Sequence, residues 1–225
     1  MNFLNKLEKK YRKYAIPNLM YYIVMLYGAG LVIQLFAPMA YWRFLSLDIG
    51  ALMHGQIWRL VTFIIYPPTM GTFVFDSVFF GIISLFLYYS LGVTLERVWG
   101  AFRFNVFFLM GMVGEILAAL VSYFVFHQNL YVTTGFLNFS LFLAFAICFP
   151  DVQFYLFMVI PVKAKWMAIA ESAVYVYSFL VGSASTRCEI VLSLANVILF
   201  FLMTRNYSRI NPKEIHRKQQ FKQQT

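Results

Sequence analysis

Long apolar runs alternate with short polar breaks along this chain. The first unbroken apolar stretch covers about residues 17–37 and stops at Pro38. Comparable runs follow at about 74–94, 104–126, 133–149, 166–182 and 188–204, the fourth of them ended by Pro150. A helix needs about 17–25 apolar residues to cross a bilayer. The pattern therefore predicts six membrane-spanning helices, the fourth and sixth near the lower limit. Between the first two runs, residues 38–73 mix Arg43, Asp48, Gly50, Pro67, Pro68 and Gly71 with apolar pieces too short to cross. This stretch predicts a large loop partly embedded in the membrane. Within it, Ile57, Leu60, Val61 and Ile64 recur at i, i+3, i+4 and i+7, with Gln56, Arg59, Thr62 and Phe63 between them. That spacing predicts an amphipathic helix over 56–64 lying at the bilayer surface, with Arg59 snorkelling to the headgroups beside Trp58. Residues 1–15 read as a basic amphipathic lead-in, and 151–165 as a short apolar piece followed by the polar patch PVKAKW. The expected organisation is an N-terminal tail (1–15), a membrane domain (16–205) and a basic C-terminal tail (206–225). The halves 1–112 and 113–225 share no motif order, which argues against an inverted-repeat transporter.

Composition sharpens this reading. Of 225 residues, 61% are hydrophobic and 12% charged, with a mean hydropathy of +0.71. A soluble domain carries about 45–50% apolar and roughly 25% charged residues, so the chain is expected to be an integral, multi-pass membrane protein with the bilayer as its first partner. The net charge of +9 could indicate nucleic acid, but its distribution argues otherwise. With six spans and both termini on one side, fifteen lysines and arginines fall on that side, and only Arg43, Arg59 and Arg187 on the other. That split obeys the positive-inside rule and predicts cytoplasmic termini. Heavy use of Phe, Tyr, Lys and Ile points to a bacterial inner membrane. Cys148 and Cys188 fall in or beside apolar runs and read as small buried hydrophobes, not a disulfide. The first run lacks a small-residue cleavage site and reads as a mature span.

Candidate chemistry is sparse. The cluster His54, Gln56, Trp58 and Arg59 could be catalytic or could anchor the loop. Glu115, Asn138, Glu171, Glu189 and Asn196 are polar groups in or at the edge of the spans, where ionisable residues mark function by default. None has metal-ligand spacing, so no metal and no cofactor is expected. Structural pairing is the simpler reading, for example Glu115 with Asn138 or with an indole. Glu96 is expected to accept hydrogen bonds from loop backbone or from Arg103.

Four motifs carry a family resemblance. GQIWRLVT (55–62) resembles the Trp-Arg motif in the first loop of the rhomboid superfamily. LGVTLERVWGAFRF (91–104), with Glu96, Gly100 and Arg103, resembles the end of its second span. TTGFLNFSLFLAFAICFPDV (133–152) and LFMVIPVKAKW (156–166) resemble the fourth span and the loop after it. The resemblance implies a six-helix bundle with an embedded first loop. Active members are intramembrane serine proteases with a Gly-x-Ser-Gly motif opening the fourth span and a histidine in the sixth, because a serine hydroxyl needs a base to become a nucleophile. Anchoring on Phe149–Pro150 puts Gly135 at the serine position, and Phe80 and Ser84 at the family's oxyanion donors. Ser140 lies five residues further on, and a serine within a span commonly bonds a carbonyl one turn back. The three histidines, His54, His127 and His216, all lie outside the spans. The resemblance thus implies a pseudoprotease rather than an enzyme. The YPP after WRLVTFII is closer to the derlins. Such members bind transmembrane clients for quality control, trafficking or hand-over to a membrane protease or AAA-type partner. Asn138, Ser140 and Asn196 are the candidate lining of a client gate, and Gln56, Trp58 and Arg59 the first-loop motif. The alternatives are a small transporter or channel, and an active intramembrane serine protease with rearranged residues.

Overall fold

A computed structural model describes residues 3–67, 74–129, 132–156 and 160–204. A short helix α1 (Phe3–Tyr11) precedes six longer ones: α2 (Leu19–Phe36), α3 (Val74–Trp99), α4 (Ala101–Phe126), α5 (Gly135–Cys148), α6 (Ala164–Val181) and α7 (Ala184–Thr204). They fall on the six apolar runs. Among the described residues, four segments are long and apolar enough to cross a bilayer: Leu19–Phe36, Phe79–Trp99, Ala101–Phe126 and Ala184–Met203. Helix α5 is apolar but only 14 residues long, roughly 21 Å at 1.5 Å per residue. Helix α6 has 18 residues and includes Lys165 and Glu171. Among the described residues the structure is helical apart from one small hairpin and an isolated bridge, and its long apolar helices make the chain a membrane protein.

That hairpin corrects the reading of 151–165. Strands β1 (Gln153–Leu156) and β2 (Ile160–Lys163) pair antiparallel, Phe154 opposite Val162. Pro150 cannot continue α5, and Lys163 and Lys165 both reach Asp151, at 3.4 and 3.5 Å.

Helix α5 is short because it is enclosed. Ten of its 14 residues are buried, and it packs against α3, α4, α6 and α7. A helix wrapped by its neighbours does not have to match the bilayer thickness itself. The most extensive interface joins α4 to α7. At its base Trp99, Phe107 and Phe200 form a ring cluster, with Trp99–Phe200 centroids 4.6 Å apart. Helix α6 rests on α5 and α7, whereas α3 rests on α2, α4 and α5; no extensive interface joins α3 to α6. Phe136 and Phe139 of α5 stack with Tyr175 of α6 along that side.

The N-terminal lead-in contains the helix α1 and is docked on the bundle. Leu4 is buried in the bundle. Glu8 accepts two bonds from the buried Arg103, at 2.9 Å from Nε and 2.7 Å from Nη2. Of the two donors expected for Glu96, loop backbone or Arg103, the structure provides the backbone one, and Arg103 is taken by Glu8. Glu96 Oε1 accepts the Asn18 backbone N–H at 2.7 Å, tying the start of α2 to the end of α3. Gly100 joins α3 to α4 at φ +87°, a left-handed conformation that glycine adopts without strain. The C-terminal tail, His216 included, lies outside the described residues.

Candidate functional site

The first loop is built around Arg59. Its side chain is buried, with 3% exposure, and its side-chain hydrogen bonds all stay inside the loop. Nε donates to Gln56 Oε1 at 2.7 Å, Nη1 to the Ser46 carbonyl at 2.7 Å, and Nη2 to the Arg43 carbonyl. The adjacent Trp58 Nε1 donates to the Phe44 carbonyl and Thr62 Oγ1 to the Leu45 carbonyl, both at 3.0 Å. These donors satisfy four consecutive carbonyls, 43 to 46, that a tight irregular turn cannot pair by itself. Unpaired backbone groups at membrane depth are costly. Arg59 therefore does not snorkel to headgroups; it is a loop clamp.

The helix expected over 56–64 is also different. Only Arg59–Thr62 is α-helical, continuing as a 3-10 turn over Phe63–Ile65. The apolar stripe is split rather than lying on one face: Ile64 is buried in the core and Leu60 packs against it. Arg59 and Phe63 point inward, while Ile57 and Val61 are 69% and 62% exposed. An apolar surroundings rewards apolar residues on the outside and leaves polar groups to be satisfied within. His54 is exposed, and its Nδ1 lies 2.7 Å from the Gly50 carbonyl, at the end of the Ile49–Met53 turn.

The loop is bolted to the start of α5. Tyr41 Oη donates to the Phe63 carbonyl at 3.1 Å and lies 3.4 Å from the Val132 carbonyl. Burial pushes the Tyr41 phenol well above the usual tyrosine range, so it remains a donor. Leu47 bridges to Val132, and Asn129 Nδ2 donates to Asp48 Oδ1 at 2.7 Å. Thr134 Oγ1 donates to the Tyr66 carbonyl at 2.8 Å. From there a buried relay runs inward: Asn138 Nδ2 donates to Thr134 Oγ1 at 3.1 Å, and Tyr27 Oη of α2 donates to Asn138 Oδ1 at 3.0 Å. Tyr27, Tyr41 and Thr134 are absent from the sequence reading. Apart from the Thr134–Asn138 bond, one turn apart, their partners lie 22 to 111 residues away, and the one local signal was a threonine immediately before a helix.

The three gate candidates separate. Asn138 is committed to the relay, not to Glu115. Ser140 is buried and donates to the Leu137 carbonyl at 2.8 Å. Neither faces an open surface. Asn196 of α7 sits on the α4 seam, its amide nitrogen 3.0 Å from where a Cβ on Gly111 would stand. Among the described residues, the Asn196 amide, the Glu115 carboxyl and the Ser122 hydroxyl make no hydrogen bond. The Leu137 backbone N–H approaches Glu115 without closing one. Gly135 is the first residue of α5. Among the described residues, no helix of 14 or more residues contains a histidine.

Comparison with known proteins gives no family model, curated protein or solved structure that matches the chain.

Proposed function

We propose that this protein is a non-catalytic, rhomboid-type membrane protein that binds transmembrane segments of client proteins, for quality control, trafficking or hand-over to a protease. In this reading α2 to α7 are six spans with both termini cytoplasmic, consistent with the division of fifteen cations against three. The observation that carries it is the pairing of two features. The Trp-Arg loop is intact and clamped by Arg59, while the nucleophile position is Gly135 and Ser140 is spent on its own helix. The loop is retained without the dyad that acyl transfer needs.

A client route lies on the side where α3 and α6 share no extensive interface. The short α5 lies behind it. A client helix of weak helicity gains by leaving lipid for a face where aromatic groups such as Phe136 and Tyr175 replace acyl chains. Photo-crosslinkers at Phe86 and Ile83 of α3 or Val174 and Tyr177 of α6 are expected to capture client helices. Crosslinks confined to Leu109, Val113 and Leu199 on the α4–α7 face would refute this route.

A further inference from the structure

An apolar groove of about 420 Å³ lies where the end of α2 meets the first loop. Its walls are Val32, Ile33 and Phe36 from α2, and Ala40, Phe44 and Leu45 from the loop. Every residue that lines it is apolar. Between Ala40 and Phe44, in the same turn, stands Arg43, which is exposed. Its backbone is fixed, since its carbonyl accepts from Arg59, and Phe44 is held by the Trp58 indole. The guanidinium of Arg43 is free. Of the three cations outside the basic segments, Arg59 is spent on loop carbonyls and Arg187 on the carbonyls of Phe179 and Leu180. Among the described residues, only Arg43 of these three makes no side-chain hydrogen bond or ion pair. Trp42 and Trp58, both part-exposed in this loop, are residues that favour headgroup depth.

We propose that this groove holds one acyl chain of a membrane phospholipid whose phosphate rests on Arg43. An exposed, unpaired arginine in the same turn as Ala40, Phe44 and Leu45 of a wholly apolar slot complements an amphiphile with an anionic head, because Arg and phosphate form charge-assisted, bidentate bonds. The volume falls in the range of small-molecule sites. A client helix about 10 Å wide would fill it with roughly a single turn, whereas an extended lipid chain can thread it. The site is independent of the client-binding reading: it needs only the loop, α2 and a bilayer.

The test uses full-length protein in phosphatidylcholine nanodiscs doped with phosphatidylglycerol that carries a photoactivatable tail. The expected result is preferential labelling within residues 32–45. Arg43→Gln lowers that labelling about tenfold, the loss of about one charge-assisted bond, and Arg43→Lys restores part of it. Ala40→Phe, which fills the groove, also lowers it, while labelling of the outer faces of α4 and α7 is unchanged. An excess of inorganic phosphate leaves the yield unaltered. Uniform labelling around the bundle, or labelling of 32–45 that neither Arg43→Gln nor Ala40→Phe reduces, overturns the proposal. Displacement by inorganic phosphate would assign Arg43 to a soluble anion and overturn it as well.

Discussion

Arg59 and Asn138 are each a single side chain holding backbone or side-chain groups from separate parts of the chain. Replacing Arg59 with Ala removes three donors at once and leaves the Ser46 and Arg43 carbonyls unpaired in a buried turn. The expected cost is about 2–5 kcal/mol, read as a lower unfolding temperature and faster proteolysis of the 38–67 loop. Arg59→Lys recovers little, because an ammonium cannot reproduce the planar fork. Trp58→Ala costs about 1 kcal/mol, since its indole makes one bond and the ring is half exposed. An equal loss from both variants would contradict the clamp. Tyr27→Phe is expected to cost about 1–3 kcal/mol, because Asn138 Oδ1 is then left unpaired in the core. The importance of Trp58-Arg59 was legible in the sequence, but the inward direction of Arg59 was not. A stripe of Ile57, Leu60, Val61 and Ile64 has the same period whether it faces a core or lipid, so periodicity cannot say which side is inside.

Among elements, the six helices could be read from runs of apolar residues ended by Pro38, Pro150 and glycine or polar breaks. Their contacts could not. Gly30 of α2 passes the loop so closely that an added Cβ would stand 1.8 Å from the Ile65 carbonyl. Gly30→Ala must therefore push α2 off the Phe63–Ile65 turn, at a cost of about 1–3 kcal/mol or more. A thermal melt of the purified variant measures it, and an unchanged midpoint would refute the close approach. Gly28, two residues away with open space around it, is the matched control. The β1–β2 hairpin went unseen because FYLFMVIPV is uniformly apolar, with no alternation to separate strand from helix. The clamp of α1 by Glu8 was hidden for another reason. Arg103 has an acidic neighbour in sequence at Glu96, but the partner it bonds is 95 residues away. Glu8→Ala is expected to free α1, raising tryptic cleavage at Lys6 to Lys13 several-fold without changing the rest of the digest. Unchanged cleavage there would mean that the Glu8–Arg103 bond does not hold the helix.

For the whole molecule, six helices of 14 residues or more fall on the six apolar runs, and the first loop is fastened to the head of α5. A loop clamped by Arg59 and joined through Tyr41, Thr134 and Asn138 to the head of α5 is a rigid frame. At the head of α5, where the resemblance calls for a serine, stands Gly135. On the proposed reading, such a frame receives a transmembrane segment without cutting it. The most direct measurement is therefore to reconstitute the full-length protein with a panel of single-span clients, irradiate crosslinkers placed at Phe86 and Tyr177, and analyse the adducts and the free clients by mass spectrometry. The account predicts adducts on those two positions with every client recovered at its full length. Client fragments that accumulate with the wild type and vanish in Ser140→Ala would contradict it.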